Sequence, residues 1–286
     1  MITPLPTHLV DDLVRRTLAE DLGLAGDVST DTAIAAGAHG AAEIVARRAG
    51  TVAGLDVALA VFPAVDRFVT ATAEVVDGDR VEAGTVLARV QGPTRAILTG
   101  ERAALNLLGH ASGIATATRA VVDAVAGTKA RIVDTRKTTP GLRALEKHAV
   151  RCGGGHNHRF GLFDAVMLKD NHLVAAGGIA PAVAAVRAQV GHTVHIEVEV
   201  DRLEQVHEAL TAGADSILLD NLDDDDLRTA VGLVAGRAIT EASGGITPDR
   251  AAAVAATGVD VISLGWLTHS APRLDVALDL LPTGGS

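Results

Sequence analysis

The sequence predicts an α/β protein whose second half is an incomplete parallel α/β barrel of six or seven strands. Three observations lead there. From Arg131 onward, short apolar strands alternate with Ala-rich helical stretches, the rhythm of βα units on a parallel sheet. Nearly every one of those strands ends in a polar or charged group, as in a barrel whose site is built at the C-terminal face of its strands. Third, three of the four lysines lie between Asp134 and His172 in a chain of formal net charge −10, so positive charge is gathered at one place against an acidic background.

Taken in order, residues 8–20 put Leu9, Val10, Leu13, Val14 and Leu18 on one helical face. Residues 41–47 and 52–53 read as strands, and Val75–Gly92 as a β-hairpin with glycine-centred turns. That stretch looks like the hammerhead of biotinyl and lipoyl carriers. It lacks the modifiable lysine, since no Lys precedes Lys129, so it is read as structural. A helix begins near Glu101. The later strands are 131–134, 164–169, 194–200, 215–220, 238–242 and 259–264, with helices at 179–188, 203–212 and 248–256 between them. Pro181 and Pro248 sit near helix starts, where a missing N–H costs little.

Composition narrows the function. With 286 residues, 48 % of them hydrophobic, the chain can fill a barrel and an added domain and is not a disordered one. The acidic balance argues against a nucleic-acid partner. Cys152 is the only cysteine, which excludes an intrachain disulfide and fits a reducing, cytoplasmic compartment. Neither a signal peptide nor a membrane-spanning stretch is expected.

The strand ends carry the chemistry. Arg136, Lys137, Arg159 and Lys169 each stand at or just after a strand or a glycine run, a setting for anions. Arg offers bidentate geometry to carboxylates and Lys a compact charge to phosphate. The bland alternative for any one of them is a solvated surface charge. Ser243-Gly244-Gly245 and Leu264-Gly265 follow the last two strands, where backbone N–H groups can receive a phosphate; otherwise they only make tight turns. Glu199 and Asp220 end adjacent strands and can hold Mg²⁺ or ribose hydroxyls, or simply pair with nearby cations. Glu197 shares the face of Glu199. His156 and His158 invite a metal-hydrolase reading, but a glycine run followed by Arg159 suits an anion better. Cys152 reads as a buried, inert thiol. His110, His192, His195 and His207 read as structural or exposed, and His269 as a pocket-lining residue.

These motifs are GERAALNLLGHASGIAT (100–116), the run from Asp134 to His172, IEVEV (196–200), ILLDN (217–221), EASGGI (241–246) and SLGWLTHS (263–270). In this order over most of the chain, they resemble the quinolinate phosphoribosyltransferase family. The resemblance implies an N-terminal α+β open-sandwich domain (1–108) joined by the C-terminal tail (271–286), with the barrel at 109–270. It implies a pentosyltransferase that joins quinolinate to phosphoribosyl pyrophosphate using Mg²⁺, releasing pyrophosphate and CO₂, as a homodimer with shared active sites. Arg136, His158 and Arg159 would then hold the dicarboxylate, with Arg102 supplied by the partner. Lys137 and Lys169 would neutralise phosphates, and Glu199 and Asp220 would serve the ribose and the metal. Ser243, Gly244, Gly245, Leu264 and Gly265 would take the 5′-phosphate, with Thr135, Trp266 and His269 lining the pocket. His148 stands where the resemblance expects an aromatic residue, and His156 where it expects a small apolar one. Competing readings are a paralogue with a different acceptor, a metal-dependent barrel hydrolase and a non-enzymatic phospholigand binder.

Overall fold

The computed structural model describes residues 2–282, so residues 283–286 of the predicted C-terminal tail lie outside the described residues. Two compact units emerge. The first comprises the residues up to Arg119, Thr138–Gly154 and the residues from Thr268; the second comprises Ala120–Lys137 and Gly155–Leu267.

The first unit starts with α1 (Thr7–Leu22), which buries Leu13, Val14 and Leu18 at the predicted spacing. A short α2 (Val28–Ala33) follows, its end capped by Asp27, which accepts from the Thr30 amide at 2.9 Å. Next come β1 (His39–Ala46), β2 (Gly50–Thr51), α3 (Leu55–Val65), β3 (Thr70–Ala73), β4 (Arg80–Val81) and β5 (Val86–Pro93). The helix read from Glu101 starts earlier, as α4 (Thr94–Ala124), and so runs through the predicted 108/109 boundary.

Two local expectations are corrected. Val75–Gly92 does not pair with itself: β4 pairs β2, while β5 lies between β1 and β3, all antiparallel. The second strand sits at Gly50–Thr51; Val52 and Ala53 are buried beyond it, with the Ala53 amide donating to Ser112 Oγ at 3.0 Å. The core packs Ile44, Leu55, Val57, Val61, Phe62 and Leu87 with Ile97 and Leu108 of α4. Gly113 on α4 is required by packing. A Cβ there would lie 2.9 Å from Arg273 Cα, where the chain passes on its way to the last strand.

The second unit holds β6 (Arg131–Val133), followed in sequence by α5 (Arg143–Cys152), whose residues belong to the first unit. Then come β7 (Val166–Leu168), α6 (Asp170–Ala176), α7 (Ile179–Arg187), β8 (Ile196–Val200), α8 (Leu203–Ala212) and β9 (Ser216–Asp220). α9 (Asp224–Val234), β10 (Ile239–Ser243), α10 (Pro248–Ala256), β11 (Val261–Ser263) and α11 (Trp266–His269) complete the series. Finally β12 (Val276–Leu280) joins the first unit's sheet, pairing β1 with Ala42 opposite Leu280.

The six barrel strands form one parallel sheet in the order β6-β11-β10-β9-β8-β7, the predicted incomplete barrel. Most of their residues are buried on both faces, including the polar Glu197, Thr240 and Glu241. On the outer side of β6 the chain at His156 forms a single parallel bridge to Val133: the His156 amide donates to Ile132 O at 2.8 Å. Five of the six strands are shorter than read, and at β6 and β7 flanking aspartates turn the chain. Asp134 accepts from the His158 amide at 2.9 Å, and Asp164 from the Gly161 amide at 2.9 Å. Among the described residues no helix is long and apolar enough to cross a membrane.

Candidate active site

In a parallel sheet all strands point their C-terminal ends the same way, so the residues that end β6 to β11 are gathered at one rim. Six groups of predicted residues meet this condition: Thr135–Lys137, Lys169, Glu199, Asp220, Ser243–Gly245 and Leu264–Gly265.

Beyond β6, the Lys137 amide donates to Thr135 Oγ1 at 3.0 Å, folding the cationic turn back on itself and leaving Arg136 and Lys137 exposed. Arg159 is partly buried and donates through Nη1 to Ala165 O at 3.1 Å. Burial, and then the positive charge of Arg136, push its guanidinium below the ordinary Arg range. Two guanidinium groups near enough to repel each other, with Glu197 and Asp164 partly offsetting the charge of Arg159, suit a ligand that brings negative charge of its own.

Lys169 stands at the start of α6 with its amide donating to His172 Nδ1 at 3.0 Å. Its ammonium pairs directly with the Glu199 carboxylate at the end of β8. The ion-pair alternative is therefore realised for Glu199, at a rim where Lys169 keeps nearly half its side-chain surface in solvent (44 %). Asp220 is half-buried and accepts from Asn221 Nδ2 at 2.7 Å.

Below the rim lies a buried network that sequence reasoning reached only in pieces. The Arg159 amide donates to His158 Nδ1 at 2.7 Å, which leaves Nε2 as the hydrogen-bearing nitrogen; it lies 3.0 Å from Glu197 Oε2 and 3.5 Å from Glu241 Oε1. Ser216 Oγ donates to Glu197 Oε1 at 3.1 Å, and His195 Nε2 lies 2.8 Å from the same hydroxyl. The two glutamates are driven apart in acidity. Burial raises Glu197, but the hydrogen bonds it accepts from His158 and Ser216 outweigh it and hold the carboxyl below its usual range. Burial, followed by the negative charge of Glu197, pushes Glu241 up to about 7. Their sequence signal was polar residues at two-residue spacing inside otherwise apolar strands, Glu197-x-Glu199 and Glu241-x-Ser243. His195, which the sequence reads as structural or exposed, belongs to this network through Ser216.

The glycine loop after β10 is shaped for close approach. Gly244 has φ +92° and Gly245 φ +58°, both in the left-handed region that favours glycine. Trp266 Nε1 donates to Ile246 O at 3.1 Å, tying the loop after β11 to the loop after β10. Leu264 is buried and its amide donates to Val133 O at 3.0 Å, so that N–H is spent inside the sheet and cannot meet a phosphate.

Some predicted residues fall outside this unit. Arg102 lies on α4 in the first unit, mostly exposed, with Glu101 3.8 Å away. His269 is also in the first unit, exposed, with Nδ1 2.6 Å from Ser270 Oγ. His156 is exposed and committed through its backbone to β6. The three-ligand group that contains His158 takes Glu197 and Glu241, and His156 is not part of it. The hydrolase reading therefore loses its histidine pair.

Comparison with known proteins agrees with this geometry. The profile described as the N-terminal domain of quinolinate phosphoribosyl transferase matches residues 27–112, and that of its C-terminal domain matches residues 114–279. A probable nicotinate-nucleotide pyrophosphorylase [carboxylating] of Bacillus subtilis is 46 % identical over 94 % of this chain and 92 % of its own. The nicotinate-nucleotide pyrophosphorylase [carboxylating] of Mycobacterium leprae is 47 % identical over 94 % and 96 %. Among solved structures, NadC from Streptococcus pyogenes superposes with a TM-score of 0.93 at 41 % identity, covering 98 % of this chain and 100 % of the other. The chain belongs to the quinolinate phosphoribosyltransferase family.

Proposed function

We propose that this chain transfers the phosphoribosyl group of phosphoribosyl pyrophosphate to quinolinate with decarboxylation, giving nicotinate mononucleotide, pyrophosphate and CO₂ in NAD biosynthesis. The observation that carries the reading is one rim holding both kinds of receptor. It has an arginine pair for a dicarboxylate, Arg136 and Arg159, and a lysine and a left-handed glycine loop for phosphates.

Arg136 and Arg159 hold the two carboxylates, with His158 fixed between them and Glu197. Lys137 and Lys169 neutralise phosphate charge, and Ser243, Gly244, Gly245 and Gly265 cradle the 5′-phosphate. Leu264 supports that loop through its packing. Thr135 shapes the turn that carries Arg136, and Trp266 braces the two phosphate loops. Glu199 and Asp220 accept from the ribose hydroxyls and stabilise the positive character that develops at the sugar carbon as its bond to pyrophosphate breaks. The ring nitrogen then forms the new bond to that carbon and becomes quaternary. Its positive charge accepts the electron pair left when the neighbouring carboxylate departs as CO₂, and a proton completes the ring.

Mg²⁺ fits the donor set at Glu199 and Asp220: hard carboxylate oxygens beside a polyanion site. Neither residue belongs to a three-ligand group among the described residues, as befits an ion held by one or two carboxylates and the substrate's own phosphates. When bound, it would offset charge on the departing pyrophosphate. Arg102, exposed on the first unit, is assigned to the site of a second copy in a homodimer, with His269 as a further lining residue.

The test is turnover. Purified protein with quinolinate, phosphoribosyl pyrophosphate and Mg²⁺ releases pyrophosphate and CO₂ in equal amounts. Absence of turnover with quinolinate, or turnover only with another acceptor, overturns the assignment, and binding without turnover identifies a phospholigand binder.

A further inference from the structure

We propose that Asp77, His148 and Cys152, in the first unit, form a binding site for a thiophilic divalent transition-metal ion, Zn²⁺ being the ion that fits best. The reaction derived above uses none of the three residues.

The ligand set starts in the sequence. His148 and Cys152 are four residues apart on α5, so their side chains lie one above the other on the same face. Asp77 arrives from the segment between β3 and β4. It is held in place by two backbone donors: the Leu55 amide to Oδ1 at 3.0 Å and the Gly54 amide to Oδ2 at 2.9 Å. Three ligand types of the kind zinc takes therefore converge from two segments, one of them rigidly braced.

The spacing is close to that of a coordination shell. His148 Nε2 lies 2.7 Å from Asp77 Oδ2 and 3.4 Å from Cys152 Sγ, while Cys152 Sγ lies 3.8 Å from Asp77 Oδ2. In a tetrahedral zinc site, ordinary bond lengths set the sulfur-to-nitrogen and sulfur-to-oxygen edges at about 3.6 Å and the nitrogen-to-oxygen edge at about 3.3 Å. Two edges are within a few tenths of an ångström already. The third must open by about 0.6 Å, which a small rotation of His148 supplies. Cys152 is buried and His148 nearly so, whereas Asp77 keeps 17 % of its side-chain surface, leaving a way in and a place for a water as fourth ligand.

Charge favours the same occupant. A thiolate, a carboxylate and a neutral imidazole sum to the charge that a divalent cation cancels. A bound divalent cation would supply the positive charge that takes the proton from the buried thiol and holds it as the thiolate. The other three-ligand group, His158 with Glu197 and Glu241, has no sulfur and serves the reaction site.

The experiment uses full-length protein stripped with a chelator and titrated with Co²⁺ alone. Since Cys152 is the only cysteine, a thiolate-to-cobalt charge-transfer band can come from no other residue. The expected result is one equivalent per chain with that band, displaced by Zn²⁺, and affinity at least about tenfold weaker in His148→Gln. The absence of the band, or unchanged affinity in His148→Gln, overturns the proposal. In case the variant misfolds, zinc-edge X-ray absorption of the native protein loaded with one equivalent reads the shell directly. One sulfur at about 2.3 Å supports the site, and a shell of nitrogen and oxygen alone refutes it.

Discussion

Asn221 and Gly244 compete for one volume: a Cβ on Gly244 would lie 2.5 Å from Asn221 Cγ, while the Asn221 amide donates to Ser243 O at 2.9 Å. Asn221 itself has φ +57°, so two left-handed residues from adjacent strand ends interlock at the proposed phosphate loop. Gly244→Ala faces both a collision and roughly 1–2 kcal/mol of backbone strain. The expected outcome is a KM for phosphoribosyl pyrophosphate raised about tenfold or more with the quinolinate KM little changed. Adding Asn221→Gly removes the side-chain part of the collision at a residue whose φ of +57° glycine adopts freely, but leaves the residue-221 amide nitrogen 2.9 Å away and the strain at position 244, so steady-state kinetics should show partial recovery. A single variant with native kinetics would remove the loop from the phosphate site.

The glutamate pair predicts a pH signature in stability. Glu241 is raised from 4.5 to about 7 in the folded chain. At low pH both folded and unfolded chains carry its proton, and there is no cost. As pH rises through the ordinary glutamate range the unfolded chain releases the proton while the folded chain keeps it. Stability therefore falls between about 4.5 and 7, and the full cost is present above that window. Glu241→Gln lacks this term. Thermal melts should show the variant gaining on the native protein by a few degrees between pH 5 and pH 8. A difference that stays constant with pH means that Glu241 does not titrate there.

The strand ends were legible because each pairs a periodic signal with a chemical one: an apolar run, a terminal charge or glycine, then a helix. Lys169 before α6 and Ser243-Gly244-Gly245 before α10 are examples. The place of α5 has a physical reason: it lies within the range 109–270 that the resemblance gives to the barrel, yet Leu145, Ala149, Val150 and Cys152 pack in the first unit's core. No local periodicity says which core an apolar face will join. The same limit hid Asp77 from His148, 71 residues away, and His158 from Glu197, 39 residues away. Such pairs are set by topology, and a single sequence exposes them only once the fold is known.

Arg136 and Arg159 make a prediction about selectivity. If the pair receives the dicarboxylate, Arg136→Ala removes a charge-assisted bond worth about 1.5–3 kcal/mol, or roughly 10–100-fold in quinolinate KM. Phosphoribosyl pyrophosphate should bind almost unchanged, as read by calorimetry with each substrate alone. Relief of the like charge also lets the Arg159 guanidinium return toward its ordinary range, since Arg136 is one of the causes holding it down. Equal losses for both substrates would show that the arginines act as a general field and not as a dicarboxylate receptor.

Arg102 and Lys169 test whether sites are shared between copies. Arg102→Ala and Lys169→Ala should each be nearly inactive, for different reasons. If Arg102 serves the site of a second copy, a mixed dimer holds one site with both defects and one with neither. Random re-assortment makes about half of all dimers mixed, so about a quarter of native activity should return after co-refolding or subunit exchange. Size-exclusion chromatography of differently tagged chains confirms that exchange occurred. If mixed dimers form and no activity returns, Arg102 acts within its own chain or outside the reaction altogether, and its exposure on α4 must be explained another way.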